Sequence, residues 1–511
     1  MHKIDNIVKS FCNNRPEGLC INPAQNFTLS FSVETDGYYD LELKYFHEHW
    51  DQWIHLEVTH PDGGTLDYMP PLPFGDFAEV TLYFKKGENL VAFKRDFEFG
   101  NEIVFKEITL MGASVNTMPK IYPTADCFFK SKPRRGVIVL ENYCRKLQKI
   151  TCGDKEIPFT TESFLEAFEF SKFYNGIYQQ REYVYIDPAV ISGLPEGENK
   201  LVLTLEGGFN LEYTLNLFAE EKASELTVLS FDVGHSSANL LKLPNGKNLL
   251  IDCGSFKACN EILLPYLKKN NIKVDYFLLT HYHSDHYGNL QVLLDEYGID
   301  IPEKVDIKAP KEQRYKYLSK FRYLDSSCLR FYDKLHEIWD LGGVEITALN
   351  SRYDIDGNRV EVFNYPQIKY NEHNYENTTS VAMFIKYKGF GFYHGADTYA
   401  HCQQRILEDY KKAGAEDELR CHYFYSNHHF HVDLAPEFMH AVNPVIVYIN
   451  SNFSLYSRST CIYEYGRDVL AADYEDKRLR ESLKCCESGS LILHINSGDD
   501  WWYSTCQNTD L

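Results

Sequence analysis

The sequence predicts a multidomain chain in which two N-terminal all-β sandwich domains are followed by an α/β domain. Three observations support this. Short alternating apolar strands, divided by Gly, Pro and Asp turns, fill residues of about 27–111, and a second β-rich stretch fills about 118–220. After the charged stretch AEEKASE at about residue 219, strands instead alternate with helical segments such as CNEILLPYLKKN, LQVLLDEYG, HCQQRILEDYKKAG and LAPEFMHAV. A chain of 511 residues has room for two to four domains of ~100–200 residues each. The boundaries that follow from these changes of pattern are 1–116, 117–222 and 223–511.

The first region contains FTLSFSVE, YYDLELKYF, WIHLEVTH, AEVTLYF, NLVAFKR and IVFKEITL, whose side chains alternate with the two-residue period of a half-buried strand. A succession of such strands makes a β-sandwich. Their order, with the hairpins DGYYDLELKY and KKGENLVAF and the closing EIVFKEITL, resembles carbohydrate-binding modules of families 6 and 35. That resemblance implies sugar contacts from aromatic residues, with Trp50 and Trp53 as the first candidates and Tyr68 and Phe74 beside them. A purely structural sandwich fits the pattern equally well. In the second region, EYVYIDPAVISGLPEGENKLVLTLEGGFNLEYTLNLF places strands around a Leu-Pro-Glu-Gly turn. It resembles the X-type immunoglobulin-like modules attached to glycosidases, which implies a spacer or brace.

Composition bounds the partners. Hydrophobic residues make up 44% and charged residues 24%, as in an ordinary globular protein, although Tyr (37) and Phe (33) are abundant in the manner of β-rich chains. Lys and Arg total 52 against 73 Asp and Glu, and the formal charge of −21 disfavours a long groove along a phosphate backbone, so duplex nucleic acid is not an expected partner. Fourteen Cys occur without a CxxC pair, the usage of reduced, buried thiols, and Cys485-Cys486 are too close together for a zinc ribbon. The N-terminal MHKIDNIVKSFCNN lacks the apolar core of a signal peptide, and no uncharged apolar run approaches the ~20 residues that span a bilayer. The expectation is a cytoplasmic protein without a membrane partner, or an extracellular one if this N-terminus is not the native one. Oligomeric state is not legible in the sequence.

The chemically informative segment is VDYFLLTHYHSDHYGNL, where an apolar strand ends and a polar loop delivers His281, His283, Asp285 and His286 before a helix begins. Residues i and i+2 of an extended segment face the same way. His281 and His283 can therefore grip one metal while Asp285 and His286, beyond the turn, point at a second. Imidazole and carboxylate donors suit divalent ions, zinc first, with manganese or iron as alternatives.

This HxHxDH spacing is the signature of the metallo-β-lactamase fold, and residues of about 225–511 resemble the αββα domain of the superfamily's ComEC-like branch. Four motifs in order carry the resemblance. FDVGHSSANLLKLPNGKNLLIDCGS is similar to the first strands, which puts Asp252 where an aspartate orients the metal loop through hydrogen bonds. The HxHxDH loop is second. TTSVAMFIKYKGFGFYHGADTY puts Asp397 where the family has a bridging aspartate, whose two oxygens can hold two metals ~3.5–4 Å apart. YFYSNHHFHVDLAPEFMHAVNPVIVYIN resembles the branch's HHGS segment, and of its His pair His428 is the expected ligand completing the second metal site. The hairpin GSLILHINSGDDWWYST closes the domain.

The chain departs from the branch at three places, and from many members of the wider superfamily at a fourth, where the branch itself also lacks the residue. His235-Ser236-Ser237 stand where Gln-Gly-Asp is usual, HGAD replaces TGD, and Phe430 replaces a Gly. Glu376-Asn377 occupy the stretch where many members carry a third His for the first metal, with His373 nearby; Asn377 is expected beside the ligands, supporting them.

The resemblance implies a hydrolase in which two metals lower the pKa of a bridging water, so that a metal-bound hydroxide is the nucleophile. Asp285 and Asp397 would hold the metals and the hydroxide, and His429, His235 or Tyr393 would protonate the leaving group. The branch implies a phosphodiester or related ester as substrate, and the acidic chain with its attached modules suggests a small or glycan-linked one. The same centre also serves β-lactams, thioesters and lactones. The alternative, from a different class, is a carbohydrate-binding or scaffolding protein with a catalytically weak metallo-β-lactamase-like domain, motivated by the departures at residues 235–237 and at Phe430.

Overall fold

A computed structural model of the chain describes residues 7–10, 14–15, 18–21, 26–46, 52–68, 71–72, 77–94, 103–113, 119–142, 145–163, 181–288, 290, 292–293, 306–308, 329–330, 335–351, 376–430, 434–451, 476–508 and 511. Alternation along the strands dictates the layering throughout. In Phe27–Val33 every second side chain is buried. That strand lies in a five-stranded antiparallel sheet with Ile7–Ser10, Gly87–Lys94, His55–Thr59 and Thr65–Tyr68. A second antiparallel sheet runs Phe77–Phe84, Gly37–Phe46, Ile103–Ala113, Gly18–Ile21 and Asn14–Arg15. Between them, Phe27 stacks on Phe93 at 4.6 Å, and Phe105 meets both rings edge-on.

Tyr68 belongs to this core, 4% exposed, and its hydroxyl accepts a bond from the Tyr83 amide at 3.0 Å. It is therefore a packing residue and offers no ring to a sugar. Trp53 lies in the short strand Gln52–Trp53, paired with Pro71–Leu72; its side chain, Trp50 and Phe74 lie outside the described residues.

From Lys120 to Phe218, a four-stranded and a five-stranded sheet enclose Ile138, Leu140, Val184, Leu201, Leu203 and Leu215. The strand Ala125–Phe129 pairs parallel with Asn210–Phe218 at the edge of the larger sheet.

The remaining sheets build the C-terminal part. One of eight strands contains, in spatial order, Tyr276–Leu278, Asn248–Ile251, Asn239–Lys242, Leu226–Ser230, Ser490–Ile495 and Trp501–Cys506. The other, of seven strands, contains Met383–Tyr387, Phe390–His394, Tyr423–Tyr425, Ile446–Ile449 and Glu481–Lys484. Inward residues such as Leu241, Ile251, Phe392, Tyr423, Tyr448 and Leu493 form the core between the sheets. Their neighbours face outward: Leu240, Leu250 and Phe277 pack on the helical residues Leu263, Leu264 and Leu267. On the other side Tyr393, Phe424 and Val447 pack on Ile406 of the helix Ala400–Ala413 and on Phe438 and Met439 of Pro436–Val442. Strands buried on both faces explain why these segments read as nearly continuous apolar runs. No helix among the described residues is long and apolar enough to cross a membrane.

The second β region docks on this domain through polar groups. Asp126 is 1% exposed, and its carboxylate accepts bonds from the Thr505 amide at 3.1 Å, the Thr505 hydroxyl at 3.0 Å and Arg134 at 2.9 Å. Glu481 accepts from the Thr124 amide at 2.9 Å and from the Tyr503 hydroxyl at 3.0 Å. Removing one partner of a buried, bonded pair strands the other charge, so Asp126→Ala is expected to cost about 3–5 kcal/mol in urea denaturation. Lys132→Ala, which loses only the exposed pair with Glu221, is expected to change stability by less than about 1 kcal/mol. Equal effects of the two substitutions would contradict this account of the junction.

Candidate metal centre

The strand Tyr276–Leu278 ends at Leu279-Thr280, and the chain then runs extended through His281 and His283 before the short helix Ser284–Tyr287. Main-chain bonds pin the loop from outside. The Ser237 amide donates to the Asp285 carbonyl at 3.1 Å, and the Cys253 amide to the His286 carbonyl at 2.8 Å. Asp252, fully buried in a left-handed conformation (φ 57°), follows the strand Asn248–Ile251. Its carboxylate accepts from the Thr280 amide and hydroxyl, both at 2.9 Å, and lies 2.7 Å from His286 Nδ1. Sequence reasoning gave Thr280 no role. Its hydroxyl nevertheless sits 3.1 Å from His281 Nδ1 and 3.2 Å from His286 Nδ1, and its only signal was its place just before the first His.

Asp397 lies just beyond the strand Phe390–His394, in a loop whose Gly395 is pressed against Asn427; a Cβ there would come within 2.4 Å of that side chain. The two oxygens of Asp397 face different ways. Oδ1 is 3.2 Å from His286 Nε2 and 3.8 Å from His429 Nε2. Oδ2 is 3.4 Å from His281 Nε2 and 3.7 Å from His428 Nε2. His281 Nε2 is in turn 2.9 Å from His283 Nδ1, and His429 Nε2 is 3.1 Å from Asp285 Oδ2. Two groups of donors result: Asp285, His286, Asp397 and His429 in one, and His281, His283 and Asp397 in the other.

His429, not His428, occupies the place beside Asp285 and His286. The cause is the backbone: His428, His429 and Phe430 all have positive φ (41°, 52° and 63°), so the chain coils left-handed and the two imidazoles diverge, with ring centres 6.2 Å apart. His428 instead sits on the His281 side of Asp397, with Asn377 Nδ2 3.2 Å from its Nε2. Asn450, another residue the sequence did not single out, fixes His429: its main-chain oxygen is 3.1 Å, and its side-chain Nδ2 2.9 Å, from His429 Nδ1. The half-buried ring of His235 lies 4.1 Å from that of His429. Phe430 is buried in the core, and its positive φ is the conformation that favours a glycine. Tyr393 points away into the same outer core, stacked 4.9 Å from Phe424, and burial pushes its phenol well above the usual range; it is no proton donor for the site. His373 lies outside the described residues.

The donor set fits divalent cations. With Asp252 taking the proton of His286 Nδ1, His286 Nε2 is left with its lone pair outward. That atom and Asp397 Oδ1 are both buried and have no hydrogen-bond partner among the described residues. Charge points the same way. Burial works against a charged His286, yet Asp397, Asp252 and Asp285 together outweigh it and hold its pKa well above the ordinary value. Burial likewise works against an ionised Asp397, and His286, His428, His281 and His429 outweigh it in the opposite direction. The pocket is short of positive charge.

Asp252→Asn keeps the shape of the positioning residue and removes its charge. Metal affinity is expected to fall about 10–100-fold in a competition titration with a chromophoric chelator. Metal content by mass spectrometry is expected to drop further in His429→Ala than in His428→Ala. Unchanged affinity in Asp252→Asn would defeat the positioning role.

Residues 231–353 match the family model described as "Metallo-beta-lactamase superfamily". A stretch of 107 residues is 29% identical to Recombination protein 2 of Haemophilus influenzae, covering 20% of this chain and only 13% of that protein's length. Among solved structures, similarity is found to the metallo-β-lactamase fold protein YhfI of Bacillus subtilis, with 13% identity over 55% of this chain and 100% of that one at a TM-score of 0.34. A diphosphatase from the PhnP family gives 12% identity over 45% of this chain and 88% of the other, TM-score 0.29. Xyl-CBM35, in complex with a glucuronic-acid-containing disaccharide, gives 14% identity over 22% of this chain and 79% of the other, TM-score 0.16. By the family match the chain carries a metallo-β-lactamase superfamily domain at residues 231–353, which supplies His281, His283, Asp285 and His286 of the candidate metal-binding site, while Asp397 and His429 come from beyond the matched range.

Proposed function

We propose that this protein is a metal-dependent hydrolase acting on a phosphodiester or related ester of small or glycan-linked type. The observation that carries the reading is the carboxylate of Asp397, whose two oxygens face two separate groups of imidazole and carboxylate donors. Divalent metal ions in those groups supply Lewis acidity and a water nucleophile available near neutral pH. The residues of the chain do the rest. Asp252 and Thr280 hold the imidazoles at their orientation, Asn450 turns His429 Nε2 toward Asp285, and burial of Asp397 keeps bulk water from competing. His235, half-buried with its ring beside that of His429, is our candidate to hand a proton to a leaving group. The abundance of acidic side chains weighs against a long polyanionic substrate.

The test is turnover of bis(p-nitrophenyl) phosphate by the full chain. Activity is expected to vanish with a chelator, return with added zinc or manganese, and fall by about 100-fold or more in Asp397→Ala, the size of loss seen when a charge-stabilising group is removed. Turnover of a thioester, lactone or β-lactam but not of the phosphodiester would overturn the substrate class. Failure on all of them with metal bound would favour the binding-protein reading.

A further inference from the structure

The strands Phe390–His394, Tyr423–Tyr425, Ile446–Ile449 and Glu481–Lys484 run parallel and deliver Asp397, His428 and His429 beyond their C-terminal ends. At their opposite, N-terminal ends lies a cavity of about 810 Å³, closed by the strand Trp501–Cys506 and by Ala125–Phe129 of the second β region. Small-molecule sites commonly fall in the range of ~300–1,000 Å³.

The lining joins cations to rings: Lys477, Arg478 and Arg480 with Trp501, Tyr503 and His422. Arg478 is half-buried, and among the described residues neither it nor Arg480 has an ion-pair partner. The nearby acids are engaged elsewhere. Asp126 is held by Arg134 and Thr505, Glu481 by Thr124 and Tyr503, and Asp476 lies 3.8 Å from Arg420. Asp499 is the exposed exception in the lining. His422 adds no charge, since burial, helped by the Arg478 guanidinium, pushes its pKa down to about 4. Its ring stacks on Phe390 at 4.8 Å and meets Trp501 edge-on at 5.7 Å, which holds the Trp501 indole in place. Trp502, also in the lining, has a buried Nε1 donor with no acceptor among the described residues. In a chain of net charge −21, guanidinium groups without an ion-pair partner among the described residues, beside a fixed indole, make a local sink for an anion.

We infer that this cavity binds a small organic anion, a carboxylate or phosphate held by Arg478 and Arg480 with its attached ring against Trp501. Guanidinium forks match both oxyanions two oxygens at a time, and an indole face takes a sugar or aromatic ring by area and dispersion. A sugar acid and a sugar phosphate share this chemistry. The site is separate from the metal centre, at the other end of these strands, and a ligand there bridges the second β region and the C-terminal domain, so binding stabilises the junction.

The full chain is titrated calorimetrically with glucuronate, glucose 6-phosphate, inorganic phosphate and neutral glucose, with thermal midpoints recorded in parallel. The expected result is one-to-one binding of glucuronate or glucose 6-phosphate with a Kd below about 1 mM and a raised midpoint, and no binding of glucose. Which of the two anions binds separates the two sources. Arg478→Gln with Arg480→Gln should weaken binding about tenfold or more, as expected for lost charge-assisted bonds, while metal content stays unchanged. Trp501→Leu should weaken the ring-bearing probes and spare inorganic phosphate. No binding of either ring-bearing anion below about 10 mM, or equal binding by the paired arginine variant, overturns the proposal.

Discussion

Asp252, Asp285 and Asp397 stand around the same few imidazoles, two of them almost wholly buried, and the local structure is organised by the need to balance that charge. An unpaired carboxylate away from water is too costly to persist, so each oxygen must meet a donor or a cation. Asp252 is satisfied by protein groups alone and thereby sets the direction of His286. Asp397 is not: one oxygen has no hydrogen bond among the described residues, which leaves it available to a metal. Division of labour between a fully bonded and an under-bonded carboxylate is what separates a positioning residue from a candidate ligand here.

The fold supplies the convergence. Strands buried on both faces end along one edge of the two facing sheets, and the loops that follow them carry Asp252, the HxHxDH loop, Asp397 and the His pair. The loops are fixed by close approach rather than by regular structure: Gly395 against Asn427, the His428 amide on the Ala396 carbonyl at 2.7 Å, and the Cys253 amide on the His286 carbonyl. The edge strands of the two sheets, Trp501–Cys506 and Glu481–Lys484, meet the second β region through Asp126 at Thr505 and through Glu481 at Thr124, so the domain is also restrained along its side.

Much of this was legible in the sequence because it is local. The i, i+2 geometry that turns His281 and His283 toward one partner needs only an extended chain, and their rings do meet at 4.6 Å. The places expected for Asp252 and Asp397 came from the resemblance of the segments that carry them to the superfamily's motifs. What escaped was set by backbone direction or by distant packing. Nothing in the letters HHF says that three residues coil left-handed, and that coil decides which histidine meets Asp285. Tyr68 and Tyr393 read as available rings, yet each sits at a strand position facing a core. Thr280 and Asn450 act through hydrogen bonds to residues brought together only by the sheet, and the basic cavity is assembled from segments near residues 125, 422, 478 and 502.

The left-handed run at His428, His429 and Phe430 has a thermodynamic corollary. Non-glycine residues in that conformation cost about 1–3 kcal/mol each, and here three stand in a row. The burial of Phe430, the Asn450 contact and the Ala396 carbonyl offset part of that cost. Any ion that engages His429 adds to the same side of the balance. Occupancy of the centre and ordering of the loop are then linked equilibria, and the affinity measured for a cation contains, with opposite sign, the conformational energy stored in a three-residue stretch of main chain.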